Sequence, residues 1–112
     1  MNERTEALSI PRSVKAAVAA RDSVDGWPCC ILCGRTAPTR YPLAFSCAHY
    51  IARSQGGLGI EENILTLCPN CHRQYDITEL RAAYRPILAR HLREHYPGWN
   101  EDQLTYKKEG QV

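Results

Sequence analysis

Two pairs of cysteines have the spacing of a metal site. Cys30 and Cys33 form one CxxC pair, Cys68 and Cys71 form the other, and 34 residues separate the pairs. Each CxxC pair can place two thiolates about 2.3 Å from one Zn²⁺, and four thiolates complete a closed tetrahedral site. Ordinary buried cysteines and two disulfides are the alternatives, and the paired spacing favours zinc over both. The sequence therefore predicts a structural zinc ion with no open coordination position for chemistry.

Two of the six cysteines, Cys29 and Cys47, fall outside these pairs. Cys29 competes with Cys30 as a zinc ligand, but Cys30 gives the tighter CxxC loop. Cys47 falls within a predicted strand, where a free cysteine behaves as a small hydrophobic residue. We therefore interpret Cys47 as a buried side chain and Cys30 as the ligand.

A second group of polar residues lies between and just after the cysteine pairs. His49 ends an apolar segment, Asn63 precedes a short apolar run, and His72 follows the last cysteine. Phosphodiester hydrolysis needs an activated water, charge neutralisation at the phosphate and help for the departing oxygen. An imidazole titrates near neutral pH, so His49 can serve as a general base. Taken singly, a packed core histidine and a turn-forming asparagine are the alternatives for His49 and Asn63.

The joint order of these residues resembles the HNH endonuclease family. The family pattern runs from a histidine through a loop ending in Gly-Gly to an asparagine, a short apolar strand and a CxxCH motif. This chain has His49, Gly56-Gly57, Asn63 and Cys71-His72 in that order, and the resemblance covers about Cys30 to Asp76. It implies an α+β fold, the ββα-metal finger: a zinc-stapled antiparallel hairpin packed against a helix, here with flanking helices at both ends.

The resemblance also implies a role for each residue. His49 takes a proton from the attacking water, Asn63 braces the loop and orients the histidine, and His72 binds a catalytic Mg²⁺ or Mn²⁺. The expected reaction is hydrolysis of DNA to 5′-phosphate and 3′-hydroxyl ends. An open, oxygen-rich site suits these hard cations.

Two further positions, Asp76 and Ala48, bear on how the catalytic metal would be bound. Asp76 lies four residues after His72, on the same helical face, and is either a second ligand of that ion or, with Glu79, a helix cap. Many family members carry Asp or His directly before the catalytic histidine, whereas this chain has Ala48. The metal is therefore expected to rest on His72, Asp76, water and the DNA phosphate. An acidic residue at position 48 is expected to tighten it.

Basic residues are concentrated in the last third of the chain. They are Arg73, Arg81, Arg85, Arg90, Arg93, Lys107 and Lys108. Such a cluster is typical of a phosphate-facing surface, and a solvated helix face is the alternative. We predict that Arg53, which closely follows His49, and Arg73 contact DNA; for Arg53, a solvated loop arginine is the alternative. His91 and His95 are spaced like a metal pair but have no evident third ligand, so we interpret them as surface or DNA-backbone residues.

Apolar periodicity predicts the elements that position these side chains. A frayed leader covers residues 1–8. The predicted elements are helices over Ser9–Arg21, Pro69–Tyr75 and Thr78–His95, strands over Tyr41–Ile51 and Ile64–Leu67, and an irregular loop over 52–62. Pro86 is expected to kink or interrupt its helix because it cannot donate a backbone hydrogen bond. A further helix start is predicted at Trp99–Leu104, capped by Asn100.

At 112 residues the chain has the usual size of one domain. We divide it into an N-terminal arm (1–27), the zinc knuckles with the nuclease core (28–76), and a C-terminal helical extension (77–112). No run of about 18 apolar residues predicts a membrane span. The N-terminus lacks the apolar segment of a secretory signal. Clustered cysteines then favour metal binding in a reducing cytoplasm.

DNA is therefore the expected partner, with no role for a membrane. Because each chain has one active centre, cutting both DNA strands requires either a homodimer or two successive binding events. Two other classes of protein explain the cysteines: a zinc ribbon that binds DNA without cutting it, and a zinc domain with a structural or protein-interaction role. Neither explains a histidine, an asparagine and a second histidine at nuclease spacing.

Overall fold

Short antiparallel strands lie between helices at both ends of the chain. A computed structural model describes residues 2–41 and 44–107. The elements are α1 (Glu3–Leu8), α2 (Arg12–Arg21), β1 (Ser23–Val24), β2 (Trp27–Pro28), β3 (Ser46–His49), β4 (Ile64–Leu67), α3 (Pro69–Ile77) and α4 (Leu80–His95). Among the described residues, no helix combines the length and the hydrophobicity needed to cross a membrane.

A central hairpin and the helix that follows it form the ββα unit. Strands β3 and β4 pair antiparallel, with His49 opposite Ile64, and every residue of β4 is buried. Helix α3 begins directly after β4 because Pro69 suits a first helical turn. Cys68 caps this helix, its Sγ accepting the Cys71 backbone N–H at 3.4 Å. The predicted zinc-stapled ββα fold with flanking helices is confirmed.

The N-terminal segment is more ordered than the sequence predicts. The expected frayed leader is wrong for its described part, because Glu3–Leu8 forms α1. The Asn2 side chain caps this helix by accepting the Thr5 backbone N–H at 2.8 Å, and the Leu8 side chain is only 2% exposed. Helix α2 begins at Arg12 rather than Ser9, since a residue before proline disfavours the helical conformation.

The first strand of the hairpin is shorter than predicted, and the second has its predicted bounds. Of the expected strand over Tyr41–Ile51, only Ser46–His49 pairs, because β4 offers four partner residues; residues 42–43 lie outside the description. The irregular loop over 52–62 is confirmed. A Cβ at Gly57 would lie 1.7 Å from the Ile51 carbonyl oxygen, so the backbones approach too closely for any other residue.

Helices α3 and α4 lie close to their predicted ranges. Helix α4 runs from Leu80 to His95 through Pro86, so an interruption at Pro86 is wrong, while the alternative of a kink stays a prediction. Pro86 and Ala82 are both exposed, so solvent can hydrate the Ala82 carbonyl that loses its helical partner. Asn100 forms no side-chain cap, and only a single 3₁₀ turn, Glu101–Gln103, follows it. Lys108, counted in the basic cluster, lies outside the described residues.

A buried ion pair joins both terminal helices to the hairpin. The side chain of Asp22 is fully buried and accepts hydrogen bonds from Arg21 Nε at 2.7 Å and from the Thr66 backbone N–H at 2.9 Å. Arg21 also donates to the Ile64 carbonyl oxygen at 2.7 Å. His91 of α4 completes the cluster, its Nε2 lying 2.8 Å from Asp22 Oδ1. The expected surface or DNA-backbone role is therefore wrong for His91, which is a structural partner of Asp22.

Removing the charge of Asp22 should destabilise the fold. Burial alone would raise the Asp22 pKa, but hydrogen bonds from His91 and Arg21 outweigh it and lower that pKa from 3.8 to about 2. A folded pKa below the unfolded one stabilises the fold above about pH 4, and this contribution is lost as the pH falls toward 2. Asp22→Asn should cost about 3–5 kcal/mol at pH 7, because Arg21 keeps an uncompensated buried charge.

Denaturant unfolding at pH 7, where the four thiolates can keep zinc bound, measures this loss. Glu94→Gln is the control: it removes an exposed ion pair with Arg90 and should cost about 1 kcal/mol or less. A loss for Asp22→Asn no larger than that for Glu94→Gln would contradict the assignment of a buried, ionised carboxylate.

Candidate active site and zinc centre

The four paired cysteines meet at one point. Their sulfur atoms all lie within 4.8 Å of one another, and Cys33 Sγ is 3.8 Å from Cys68 Sγ. Sulfur ligands at the corners of a tetrahedron around zinc lie about 3.8 Å apart. Gly34, with φ +76°, turns the chain directly after the first cysteine pair, and residues 30–34 are called the first knuckle. The cluster therefore fits a structural zinc ion and joins the first knuckle to the β4–α3 junction.

The protonation of these thiols couples zinc binding to pH. Burial raises the pKa of the Cys30 and Cys71 thiols, and a hydrogen bond from the Arg35 backbone N–H lowers that of Cys33. Zinc binds the thiolate form, so binding must release protons and weakens as the pH falls.

The two unpaired cysteines lie outside this cluster. Cys29 is half-buried, and its thiol donates to the Trp27 carbonyl oxygen at 3.3 Å. Cys47 is half-buried in β3, and burial raises the pKa of its thiol. Each position agrees with its interpretation as a non-ligand.

A small cavity gathers the polar residues that the sequence singles out. It has a volume of about 280 Å³ and lies at the ends of β3 and α3. Its lining residues are His49, Ala52, Arg53, Ser54, His72, Asp76 and Arg81. Residues that are 23 positions apart in sequence, such as His49 and His72, therefore face one space.

His49 is held at the end of β3 by a contact from the N-terminal arm. Its Nε2 lies 2.9 Å from the Leu8 carbonyl oxygen. A carbonyl oxygen can only accept, so Nε2 carries the proton and Nδ1 is the basic nitrogen. Burial lowers the pKa of the His49 imidazole, with the Leu8 carbonyl acting in the opposite direction. A lowered pKa keeps the imidazole neutral, as a general base requires.

Asn63 is fully buried and joins the two ends of the loop after β3. Its Oδ1 accepts the Ile51 backbone N–H at 2.8 Å, and its Nδ2 donates to the carbonyl oxygens of Ile51 and Leu58 at 3.2 and 2.9 Å. The Asn63 carbonyl oxygen also accepts the Tyr50 backbone N–H at 2.7 Å. These bonds fix the backbone that directly follows His49.

His72 and Asp76 present adjacent ligand atoms to the cavity. His72 Nε2 lies 2.9 Å from Asp76 Oδ2, and His72 Nδ1 lies 2.6 Å from the Ser46 hydroxyl. Neighbouring ligands of an octahedral Mg²⁺, each about 2.0–2.1 Å from the ion, are about 3 Å apart. The Ser46 hydroxyl can donate or accept, so it suits either histidine tautomer. The pair therefore fits a small hard cation.

The contacts of Asp76 separate the two interpretations left open by the sequence. The first free N–H of α4, at Leu80, donates to Thr78 Oγ1 at 3.1 Å, and Glu79 forms no side-chain cap. Asp76 instead contacts His72 and Arg81. The helix-cap interpretation is therefore wrong, and Asp76 lies where a metal ligand is expected.

Ala48 occupies the position at which many family members carry a metal ligand. It is fully buried in the hydrophobic core, opposite Leu65 on β4. A carboxylate at this position would be buried without a partner, which costs far more than a surface charge. An acidic residue at position 48 would therefore carry a folding cost, and the expectation that it tightens the metal stays a prediction.

Arg81 is a cavity residue that sequence reasoning placed only within the general basic cluster. Its guanidinium donates to the carbonyl oxygens of Tyr50 at 2.7 Å and Tyr75 at 3.2 Å, and lies 3.6 Å from Asp76 Oδ1. It therefore joins the residue after His49 to the residue before Asp76. No local motif marks Arg81, because the turn between α3 and α4 decides where it lies.

The two predicted DNA-contacting arginines differ in position. Arg53 lines the cavity and donates to the Ser9 hydroxyl at 3.1 Å. Arg73 is exposed on α3 and is not among the cavity-lining residues. Both residues are exposed.

Comparison with known proteins supports the resemblance seen in the sequence. Residues 30–76 match the family model described as HNH endonuclease. No curated protein matches the chain. The resemblance is therefore confirmed over the segment that contains both cysteine pairs and the cavity residues His49, His72 and Asp76.

Removing one cysteine should expose the dependence of the fold on zinc. Purified wild-type protein should contain about one tightly bound zinc per chain. Cys68→Ser should lose zinc and unfold, because the free energy of metal binding is folding free energy in such sites. Metal analysis and circular dichroism measure both effects, and Cys29→Ser is the matched control that should keep zinc and fold. A folded wild-type sample without zinc would contradict the assignment.

Proposed function

We propose that this chain, whose residues 30–76 match the HNH endonuclease family, is a metal-dependent endonuclease that hydrolyses DNA. One observation carries the proposal: a single cavity brings together His49, His72 and Asp76. A candidate base thus faces a candidate metal-binding pair. A non-catalytic zinc ribbon would need the four cysteines but not this arrangement.

His49 is the proposed general base. Nε2 donates to the Leu8 carbonyl oxygen, so Nδ1 is the atom that takes the proton from water. The hydroxide equivalent then attacks phosphorus in line with the departing 3′ oxygen, giving 5′-phosphate and 3′-hydroxyl ends. Asn63 supports this step indirectly, since its hydrogen bonds fix the backbone next to His49.

His72 and Asp76 are the proposed ligands of the catalytic cation. Mg²⁺ or Mn²⁺ held there would neutralise charge on the phosphate and on the leaving oxygen. The Ser46 hydroxyl orients the His72 ring from its other side. With only two protein ligands in this pair, binding should be loose and completed by water and substrate phosphate.

The arginines around the cavity support the proposal that the substrate is DNA. Arg53 and Arg81 line it, and Arg81 also borders a groove of about 640 Å³ along α4 that includes Arg93. Guanidinium groups suit phosphate contacts because they offer several donors in a planar fork. Arg53 and, on the exposed face of α3, Arg73 are therefore proposed to contact the DNA backbone.

Replacing the proposed base should abolish cleavage without unfolding the protein. His49→Ala should keep its zinc and its fold and lose DNA cleavage by roughly 10²–10⁴-fold, the usual contribution of a general base. Relaxation of a supercoiled plasmid with and without Mg²⁺ measures the loss. His95→Ala, an exposed histidine of α4, is the matched control and should cleave normally. Activity of His49→Ala within a few-fold of wild type would exclude this role.

Weakening the proposed metal pair should change the metal requirement. Dialysis should remove the catalytic cation but not zinc, and activity should return with millimolar-range Mg²⁺ or Mn²⁺. Asp76→Ala should need at least about tenfold more metal for half-maximal activity, because one of two protein ligands is lost. Glu79→Ala removes an exposed carboxylate three residues later and should leave the requirement unchanged. Identical metal titrations for both variants would show that Asp76 is not a ligand.

A further inference from the structure

We infer that the N-terminal arm is part of the active site: the Leu8 carbonyl at the end of α1 positions the His49 imidazole. The inference rests on the proposed function of His49 and extends it to a segment outside the HNH match. Leu8 and His49 are 41 positions apart, and only the tertiary structure brings the carbonyl oxygen within 2.9 Å of Nε2. Leu8 acts through His49 and is a positioning residue.

The contact follows from how helix α1 ends. The last carbonyls of a helix have no partner within it and need one from elsewhere. The Ala7 carbonyl oxygen accepts the Gly59 backbone N–H at 3.0 Å, and the Leu8 carbonyl oxygen accepts from His49. The helix end thus uses the loop before β4 and the candidate base as its hydrogen-bond donors.

Gly59 is the point where the arm docks. A Cβ at this position would lie 2.0 Å from the Ser9 carbonyl oxygen and 2.5 Å from its carbon, so only glycine permits this approach. The Leu8 side chain is 2% exposed, which anchors the same segment in the protein. Arg53 adds a hydrogen bond to the Ser9 hydroxyl. The arm is therefore fixed on both sides of Leu8.

The docked arm determines which ring nitrogen carries the proton, because Nε2 contacts the Leu8 carbonyl oxygen. Among the described residues, none forms a hydrogen bond with His49 Nδ1. The Leu8 carbonyl keeps the proton on Nε2 and fixes the ring plane, so Nδ1 stays unprotonated and oriented. If the arm moved away, the ring could rotate and place Nε2–H toward the water instead. The chain then keeps its fold and its zinc but loses a correctly oriented base.

Two variants displace the arm without altering His49 or any proposed ligand. Gly59→Ala introduces the clash with Ser9, and Leu8→Ala removes the buried anchor. Glu6→Ala, on the exposed side of α1, is the matched control within the same helix. Zinc content and circular dichroism verify that each variant is folded before it is compared.

The test that does not depend on activity is proton NMR of the histidine ring. A hydrogen-bonded Nε2–H exchanges slowly with water, so wild type should show a ¹H–¹⁵N signal that His49→Ala lacks. The signal should persist in Glu6→Ala and disappear in Gly59→Ala and Leu8→Ala. Its absence from wild type, or its persistence in both displaced variants, would overturn the inference.

Steady-state kinetics provide a second test. The turnover number of Gly59→Ala and Leu8→Ala should fall by about tenfold or more, up to the roughly 10²–10⁴-fold that losing the whole base would cost, while KM for plasmid DNA changes less than about twofold. A lost signal with an unchanged turnover number would also overturn the inference. If wild type does not cut DNA at all, the proposed function fails, whereas the ring signal still decides whether the arm holds His49.

Discussion

The closed cluster of four cysteines is the constraint on which the rest of the structure depends. The central hairpin contains only two strands of four residues, and an isolated hairpin of this size is marginal in water. A metal ion held by the four cysteines would join the first pair to the β4–α3 junction and add the stability that a small hydrophobic core lacks. Cys71 belongs to the cluster and His72 is its neighbour, so the cluster fixes both the first turn of α3 and a side chain that lines the cavity.

The parts of the chain outside the family match complete this frame. Helix α2 contributes Arg21 and Asp22, which bind the backbone of β4 and the His91 side chain of α4. From α4, Arg81 holds the carbonyl oxygens of two residues that adjoin the cavity. Each contact is a charged group bonded to backbone or to an opposite charge, which is how charges are tolerated inside a protein. The terminal helices thus fix the relative positions of β3, β4 and α3.

The electrostatic character of the cavity follows from the same contacts. Asp76 is the acidic member and faces His72, while Arg53 and Arg81 supply positive charge at the rim. A carboxylate beside an imidazole attracts a cation, and the arginines attract phosphate. Burial keeps His49 neutral by lowering its pKa. One small space therefore contains an imidazole, a histidine–carboxylate pair and two guanidinium groups, the side chains on which the proposed phosphodiester hydrolysis rests.

The sequence alone determined the four-cysteine cluster, strand β4, helix α3 and the order of His49, Asn63 and His72, because these depend on short spacings and on the alternation of apolar and turn residues. It could not determine that residues before Leu8 form a helix, that Ala48 is buried, or that His91 partners Asp22. The burial of Ala48 and the pairing of His91 depend on contacts between residues distant in sequence, such as Ala48 with Leu65 and Asp22 with His91, and the docking of α1 depends on the Leu8 carbonyl with His49. Local patterns carry no information about such contacts, since they arise only when the helices pack on the hairpin. The tertiary structure therefore decided which nitrogen of His49 contacts the Leu8 carbonyl and whether Asp76 caps a helix or contacts His72.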